Sequence, residues 1–191
     1  SGSLSAIRRG KPWPLGSSIT THGVNFSVAA PSANRVELLI FSSAEASSPE
    51  LLIDLKDSNH RSGDYWHVEV EGLTAGCCYG YRVFGPLAPG DHGFRPAKVL
   101  LDPCARAITG WSIYQREAAT GASPNTHCCL KGLVCERDRF DFDAHPRPRH
   151  SWQQTVIYEL HIGGFTQRGD SGVAPDQQGS LLGVIDKIPY L

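Results

Sequence analysis

Gly23-Val-Asn-Phe-Ser-Val-Ala-Ala30, followed by Arg35-Val-Glu-Leu-Leu-Ile-Phe41, has the period-two alternation of half-buried β-strands. Val24, Phe26 and Val28 share one face, and Asn25 and Ser27 share the other. The second run repeats the pattern with Val36, Leu38 and Ile40, and Leu51, Ile53 and Leu55 make a shorter copy. Tyr65-Trp-His-Val-Glu-Val70 places Trp66, Val68 and Val70 on one side. Glu71-Gly-Leu-Thr-Ala-Gly76 then turns the chain, and Cys78-Tyr-Gly-Tyr-Arg-Val-Phe84 returns with Tyr79, Tyr81 and Val83 aligned. Several short strands at this spacing, with no helix between them, predict an immunoglobulin-like β-sandwich over residues 13–110, preceded by an N-terminal tail at 1–12.

Beyond Trp111 the composition changes. Gly121-Ala-Ser-Pro-Asn125 and Ala144-His-Pro-Arg-Pro-Arg-His150 mark residues 111–151 as a Pro-rich connector, stiffened because proline fixes its own φ and restricts its predecessor. From Trp152 the pattern changes again. Val156-Ile-Tyr-Glu-Leu-His-Ile162 is rich in β-formers, and Leu181, Val184, Ile185 and Ile188 follow the i, i+3, i+4, i+7 stripe of a helix with Ser180 at its N-cap. Pro189 removes the backbone donor that would bond to Ile185, so the helix is expected to end or kink there. A strand, a connection and a helix form the first unit of a (β/α)8 barrel. A complete barrel takes about 250 residues, so residues 152–191 hold only its beginning.

Composition narrows the partners. The 191 residues are 40% apolar and carry a net charge of -1, which favours neutral ligands over nucleic acid or an anionic membrane. No apolar run approaches the roughly 18 residues of a membrane span. The chain contains no Met, and Ser1-Gly-Ser-Leu-Ser5 reads as an internal or artificially introduced beginning. The six cysteines at 77, 78, 104, 128, 129 and 135 include two adjacent pairs and no regular framework, the usage expected of reduced thiols. His127, Cys128, Cys129 and Cys135 lack the paired spacing of a structural zinc site. Asp138, Asp141 and Asp143 lack the glycine and distal glutamate of a calcium loop, and Arg137 and Arg139 lie among them. Arg147, Arg149 and His150 read as a solvated connector. No metal site and no cofactor are expected.

Three blocks carry a family resemblance: Pro14-Leu-Gly16 leading to Gly23–Val28, Phe84-Gly-Pro-Leu-Ala-Pro-Gly90 leading to Phe94-Arg-Pro-Ala-Lys-Val-Leu-Leu-Asp-Pro103, and Val156–Thr166 with its helix. The chain resembles the N-terminal region of isoamylase-type glycogen debranching enzymes, in glycoside hydrolase family 13, whose amino-terminal sandwich is classed with carbohydrate-binding module family 48. Arg168–Gly179 resembles the longer insertion of the debranching group, whereas Gly93-Phe94-Arg95-Pro96 and Cys104 depart from its usual form. Trehalohydrolases and branching enzymes share the sandwich and a similar strand, and they are the nearest alternatives.

The resemblance implies retaining hydrolysis of α-1,6 branch linkages in glycogen or another branched α-glucan. It also implies a cytoplasmic setting, or a plastid in a plant or alga. Such chemistry needs two carboxyl groups about 5–5.5 Å apart, and in this family they lie on later barrel strands. No residue of this chain is assigned a catalytic role. Glu159 is a lone acid on the expected strand, and His161 is read as a satisfied core group. The fragment's own partners are then the remainder of the catalytic barrel and, through the sandwich, the glucan. Trp66 belongs to the core face and Trp13, between two prolines, is expected to pack the chain entry. The outward positions Tyr65 and His67, together with Trp111, are left as candidate sugar contacts, while Trp111 and Tyr114, which follow the sandwich, are read as either exposed or part of a domain interface. A free-standing glucan-binding module and an immunoglobulin-like interaction domain without sugar affinity are the rival functions.

Overall fold

Ten strands account for most of the regular structure in the computed structural model, which describes residues 6–86, 93–136, 141, 143–145 and 148–191. They are β1 (Ile7–Arg9), β2 (Gly16–Ile19), β3 (Gly23–Ala29), β4 (Arg35–Phe41), β5 (Leu51–Asp54), β6 (Arg61–Ser62), β7 (Tyr65–Glu71), β8 (Cys78–Phe84), β9 (Ala107–Thr109) and β10 (Lys131–Leu133). One antiparallel sheet has the order β1-β7-β3-β2, with β6 also on β7, and the other has the order β5-β4-β8-β10-β9. The chain divides into two units, Ser1–Asp138 and Arg139–Leu191, and all ten strands belong to the first.

The inward faces are those that the alternation marks. Val24, Phe26 and Val28 of β3, Val36, Leu38 and Ile40 of β4, Trp66, Val68 and Val70 of β7 and Tyr79 and Tyr81 of β8 form one buried cluster. Phe26 meets Tyr79 edge to face at 4.9 Å between centroids, a direct contact between the two sheets. Trp66 donates its indole N–H to the Ala30 carbonyl at 3.1 Å, so the buried ring leaves no polar atom unpaired. Each fully buried Val, Leu, Ile or Phe side chain contributes roughly 1.5–3 kcal/mol, which makes this shared face the main source of the unit's stability.

The outward faces depart from the alternation rule because other segments cover them. Asn25 and Ser27 are buried, although a half-buried strand would leave them in water. The chain leaves β1 at one edge of the first sheet, crosses its outer face at residues 10–14 and enters β2 at the opposite edge. Asn25 accepts from the Lys11 N–H at 2.7 Å and donates to the Lys11 carbonyl at 3.1 Å, and Ser27 donates to the Pro12 carbonyl at 2.8 Å. Gly10 is required by this crossing: a Cβ there would stand 2.5 Å from Asn25 Oδ1 and 2.6 Å from the Val68 backbone. On the second sheet, Leu39, Phe41 and Cys78 are buried on the outer side with Val99 and Cys129.

Two strands lie outside the 13–110 span. β1 falls within the expected tail, where it pairs with β7, and β10 falls within the expected connector, where it pairs with β8 and β9. The connector also holds a short helix, α1 (Arg116–Thr120). Three residues of β10 and three of β1 carry too little periodicity to register as strands by pattern; pairing with β8 and β9 in the one case and with β7 in the other recruits them.

In the second unit, Ser180 Oγ accepts from the Gly183 N–H at 3.2 Å at the head of a helix, Leu181–Asp186, which stops ahead of Pro189 as its missing donor requires. Upstream, the run 156–162 is not a strand. No ladder partner reaches it among the described residues, Val156 is 91% exposed, and Ile162 begins a helical turn, Ile162–Phe165. A β-forming run supplies only half of a ladder, and without a neighbour its backbone stays with solvent. The stripe residues Leu181, Ile185 and Ile188 are likewise exposed.

Candidate functional site

The candidate sugar contacts separate once the fold is known. Tyr65, at the start of β7, is 39% exposed. His67, two residues on and on the same face, is fully buried beneath the 10–14 crossing, so it offers nothing to a ligand. Its Nε2 is 2.8 Å from Ser62 Oγ and its carbonyl oxygen is 3.2 Å from His60 Nδ1. Burial is the main cause that holds its pKa below the ordinary histidine value, followed by the positive charge of Arg9 and by His60. His67 is therefore a neutral fastening between β7 and the β6 turn.

Trp13, expected to pack the chain entry, is instead 70% exposed: the crossing is held by the Asn25 and Ser27 side chains on the Lys11 N–H and the Pro12 carbonyl, and the indole stays outside. Trp111 is 65% exposed and Tyr114 is 37% exposed, and their rings meet nearly at right angles, 75°, with centroids 6.2 Å apart. Among the described residues of the first unit, Tyr65, Trp13 and the Trp111–Tyr114 pair are the exposed aromatic groups.

The Phe94–Pro103 block is a set of anchors. Lys98, buried, donates to the carbonyls of Ala118 and Ser123, and Arg95 donates to the Thr120 carbonyl at 2.6 Å. Asp102 accepts from the Tyr79 hydroxyl and from the Cys104 N–H, each at 2.8 Å. Burial pushes the Asp102 carboxyl above the usual carboxylate range, against the opposing effect of those two donors. Two further buried polar groups have no advance signal in the sequence. Asn125 accepts from the Val99 N–H at 2.7 Å and donates to the Val99 carbonyl at 3.1 Å, imitating a strand partner. Lys131 donates to the Ala44 carbonyl at 2.6 Å and lies 4.8 Å from the centroid of the Phe41 ring. These bonds hold the 95–131 segment over the outer side of the second sheet.

The remaining candidates have local roles. All six cysteines are free thiols, and burial pushes Cys77 up to about 11. His127 is exposed while Cys128 and Cys129 beside it are buried, and no cluster able to hold a metal ion exists among the described residues. Asp141 accepts from the N–H groups of Asp143 and Ala144 at 3.0 and 3.1 Å, as a turn residue does. Arg137, Asp138, Arg139 and Arg147 lie outside the described residues. Glu159 is exposed, and His161 is not a core group: it is exposed and its Nδ1 accepts from the Gly164 N–H at 2.9 Å, capping the turn that follows. No described helix is long and apolar enough to cross a membrane.

Two antiparallel sheets that share an apolar core and leave several aromatic rings exposed define the first unit as a β-sandwich module. Residues 14–105 match the family model of carbohydrate-binding module 48, the isoamylase N-terminal domain. It is 36% identical over 174 residues, 86% of its length, to a glycogen debranching enzyme of Pectobacterium atrosepticum, and 37% identical over 174 residues to one of Pectobacterium carotovorum subsp. carotovorum. The chain spans about a quarter of the length of these relatives, 25% of each. Among solved structures, the catalytic module of the multi-modular glycogen-degrading pneumococcal virulence factor SpuA, in complex with an inhibitor, matches 95% of this chain and 25% of its own. Its TM-score is 0.63 and its identity 18%, a likeness of fold.

Proposed function

We propose that this chain is the N-terminal region of a cytoplasmic glycogen debranching enzyme that hydrolyses α-1,6 branch linkages with retention. In this reading the sandwich, with β1 and β10 included, is immunoglobulin-like and residues 152–191 open a (β/α)8 barrel. The similarity to debranching enzymes carries the reading, because it runs over 174 residues and so continues well past the 14–105 module. A free-standing module would have no use for the apolar residues of 156–191. Their exposure fits a segment whose packing partners are later strands and helices.

The module's own share is support for the barrel first and glucan contact second. Its buried polar groups are spent on holding loops over the sheets, and its aromatic surface is small. The paired carboxylates of a retaining mechanism would come from the remainder of the barrel. Purified 1–191 chain is expected to release no reducing ends from glycogen above a protein-free control, whereas a protein extended by the reading frame past Leu191 is expected to release them. Activity in the first, or its absence in the second, would overturn the proposal.

A further inference from the structure

We propose that the turn carrying Trp111 and Tyr114 is a binding point for α-glucan chains, with the Trp111 indole as the platform and Tyr114 as the brace that sets its angle. The substrate class rests on the preceding reading, that the parent protein handles α-glucans.

The turn is built to present the indole. Gly110 has φ +95, a left-handed conformation that a side chain would strain, and a Cβ there would stand 3.0 Å from the Cys129 carbonyl oxygen. The Ile113 N–H returns to the Gly110 carbonyl at 3.2 Å and closes the turn, and the Gln115 N–H bonds the Cys128 carbonyl at 3.3 Å and ties it to the 125–129 segment. Trp111 therefore stands on a backbone fixed at both ends, so little ordering is left to be done on binding. Tyr114, exposed like Trp111 but less so, borders a cleft of about 190 Å³ with Leu100, Leu101, Ala119 and Leu130. Its edge-to-face contact holds the indole at one angle and leaves Trp111 with most of its surface in water.

A large aromatic ring in water forfeits the stabilisation of burial, and a rigid one presented from a pinned turn is suited to stack against a flat apolar surface. The C–H faces of a glucose unit are such a surface. Their rims of hydroxyls need hydrogen-bonding groups nearby, and exposed Gln115, Arg116, Glu117 and His127 flank the turn. An α-linked glucan curves, so a single platform with polar groups to one side suits it better than a long flat strip. The chain's near-neutral charge offers no competing attraction for a polyanion.

The test is a titration of the 1–191 chain with maltoheptaose, followed by the four tryptophan indole N–H signals in a nitrogen–proton correlation spectrum, together with retardation in glycogen-containing native gels. The Trp111 signal is expected to move while that of Trp66 stays. Trp111→Ala, which removes its own indole signal, should weaken gel retardation by about tenfold or more, the scale on which truncating an aromatic anchor acts, and the other variants are followed by both readouts. Tyr114→Ala should weaken them less, Tyr114→Phe should restore them, and Trp13→Ala should leave them unchanged. Unaltered thermal unfolding of Trp111→Ala would show that the site and not the fold was lost. No shift at any maltoheptaose concentration, wild-type retardation of Trp111→Ala, or a shift confined to Trp13 or Trp152 would overturn the proposal. Glucan binding through Trp111 alongside an extended protein that does not debranch would sink the enzymatic reading and leave this site standing. Debranching without any response at Trp111 would do the reverse.

Discussion

Replacing Asn125 by alanine tests whether the segment beyond residue 110 is structural to the sandwich. The Asn125 amide makes two bonds to one residue, accepting from the Val99 N–H at 2.7 Å and donating to the Val99 carbonyl at 3.1 Å, and both are buried. Alanine leaves a buried donor and a buried acceptor unpaired, each at about 1–3 kcal/mol, so the expected loss is roughly 2–6 kcal/mol. A domain of this size is stable by only about 5–15 kcal/mol, so the loss is a large share of the total. Urea unfolding followed by circular dichroism at β-sheet wavelengths gives the difference from the midpoint and slope. Hydrogen exchange at the Val99 amide localises it. A loss under about 0.5 kcal/mol, the range of neutral surface changes, with Val99 still protected would refute the reasoning. It would mean that water or a neighbouring carbonyl replaces the side chain at no cost.

Three further outcomes are expected. Gly10→Ala should destabilise by about 1–3 kcal/mol, the usual cost of overpacking, and should speed exchange at the β1 amides before those of β4; an unchanged urea midpoint would count against the close crossing. The neutral form of His67 is favoured in the fold, so stability is full above the ordinary histidine pKa of about 6.5. It falls as the pH drops below that value, where the unfolded chain takes up a proton that the fold resists. His67→Gln should flatten that part of the profile between about pH 7 and 5, and an unchanged slope would show that other groups carry it. Iodoacetamide at pH 8 should modify exposed Cys104 well before Cys77, Cys78 and Cys129, whose thiols are pushed up by burial; equal rates by peptide mapping would contradict their environments.

The core faces were legible because side-chain direction in a strand is a local property. Val24, Phe26 and Val28 point together whatever surrounds them, and all three are in the core. The outer faces were not legible by the same rule. Tyr65 and His67 are equivalent in the alternation, yet one is in water and the other is sealed under residues 10–14. Nothing within β7 distinguishes them, because the covering segment arrives from more than 50 residues away. The cap at Ser180 and the stop before Pro189 were legible for the same local reason as the core faces. The run 156–162 shows the limit from the other side: its composition favours a strand, but a strand exists only where a neighbour accepts its hydrogen bonds.

By itself, the sequence determined the faces of β3, β4, β7 and β8, the helix cap at Ser180 and the resemblance to debranching enzymes, since each is written in residues close together along the chain. Tertiary structure alone decided that β1 and β10 complete the two sheets and that Asn125 and Lys131 are buried anchors. It likewise decided which aromatic rings remain in water. Exposure is set by whatever segment lies across a surface, and that segment is chosen by the folding of the whole chain.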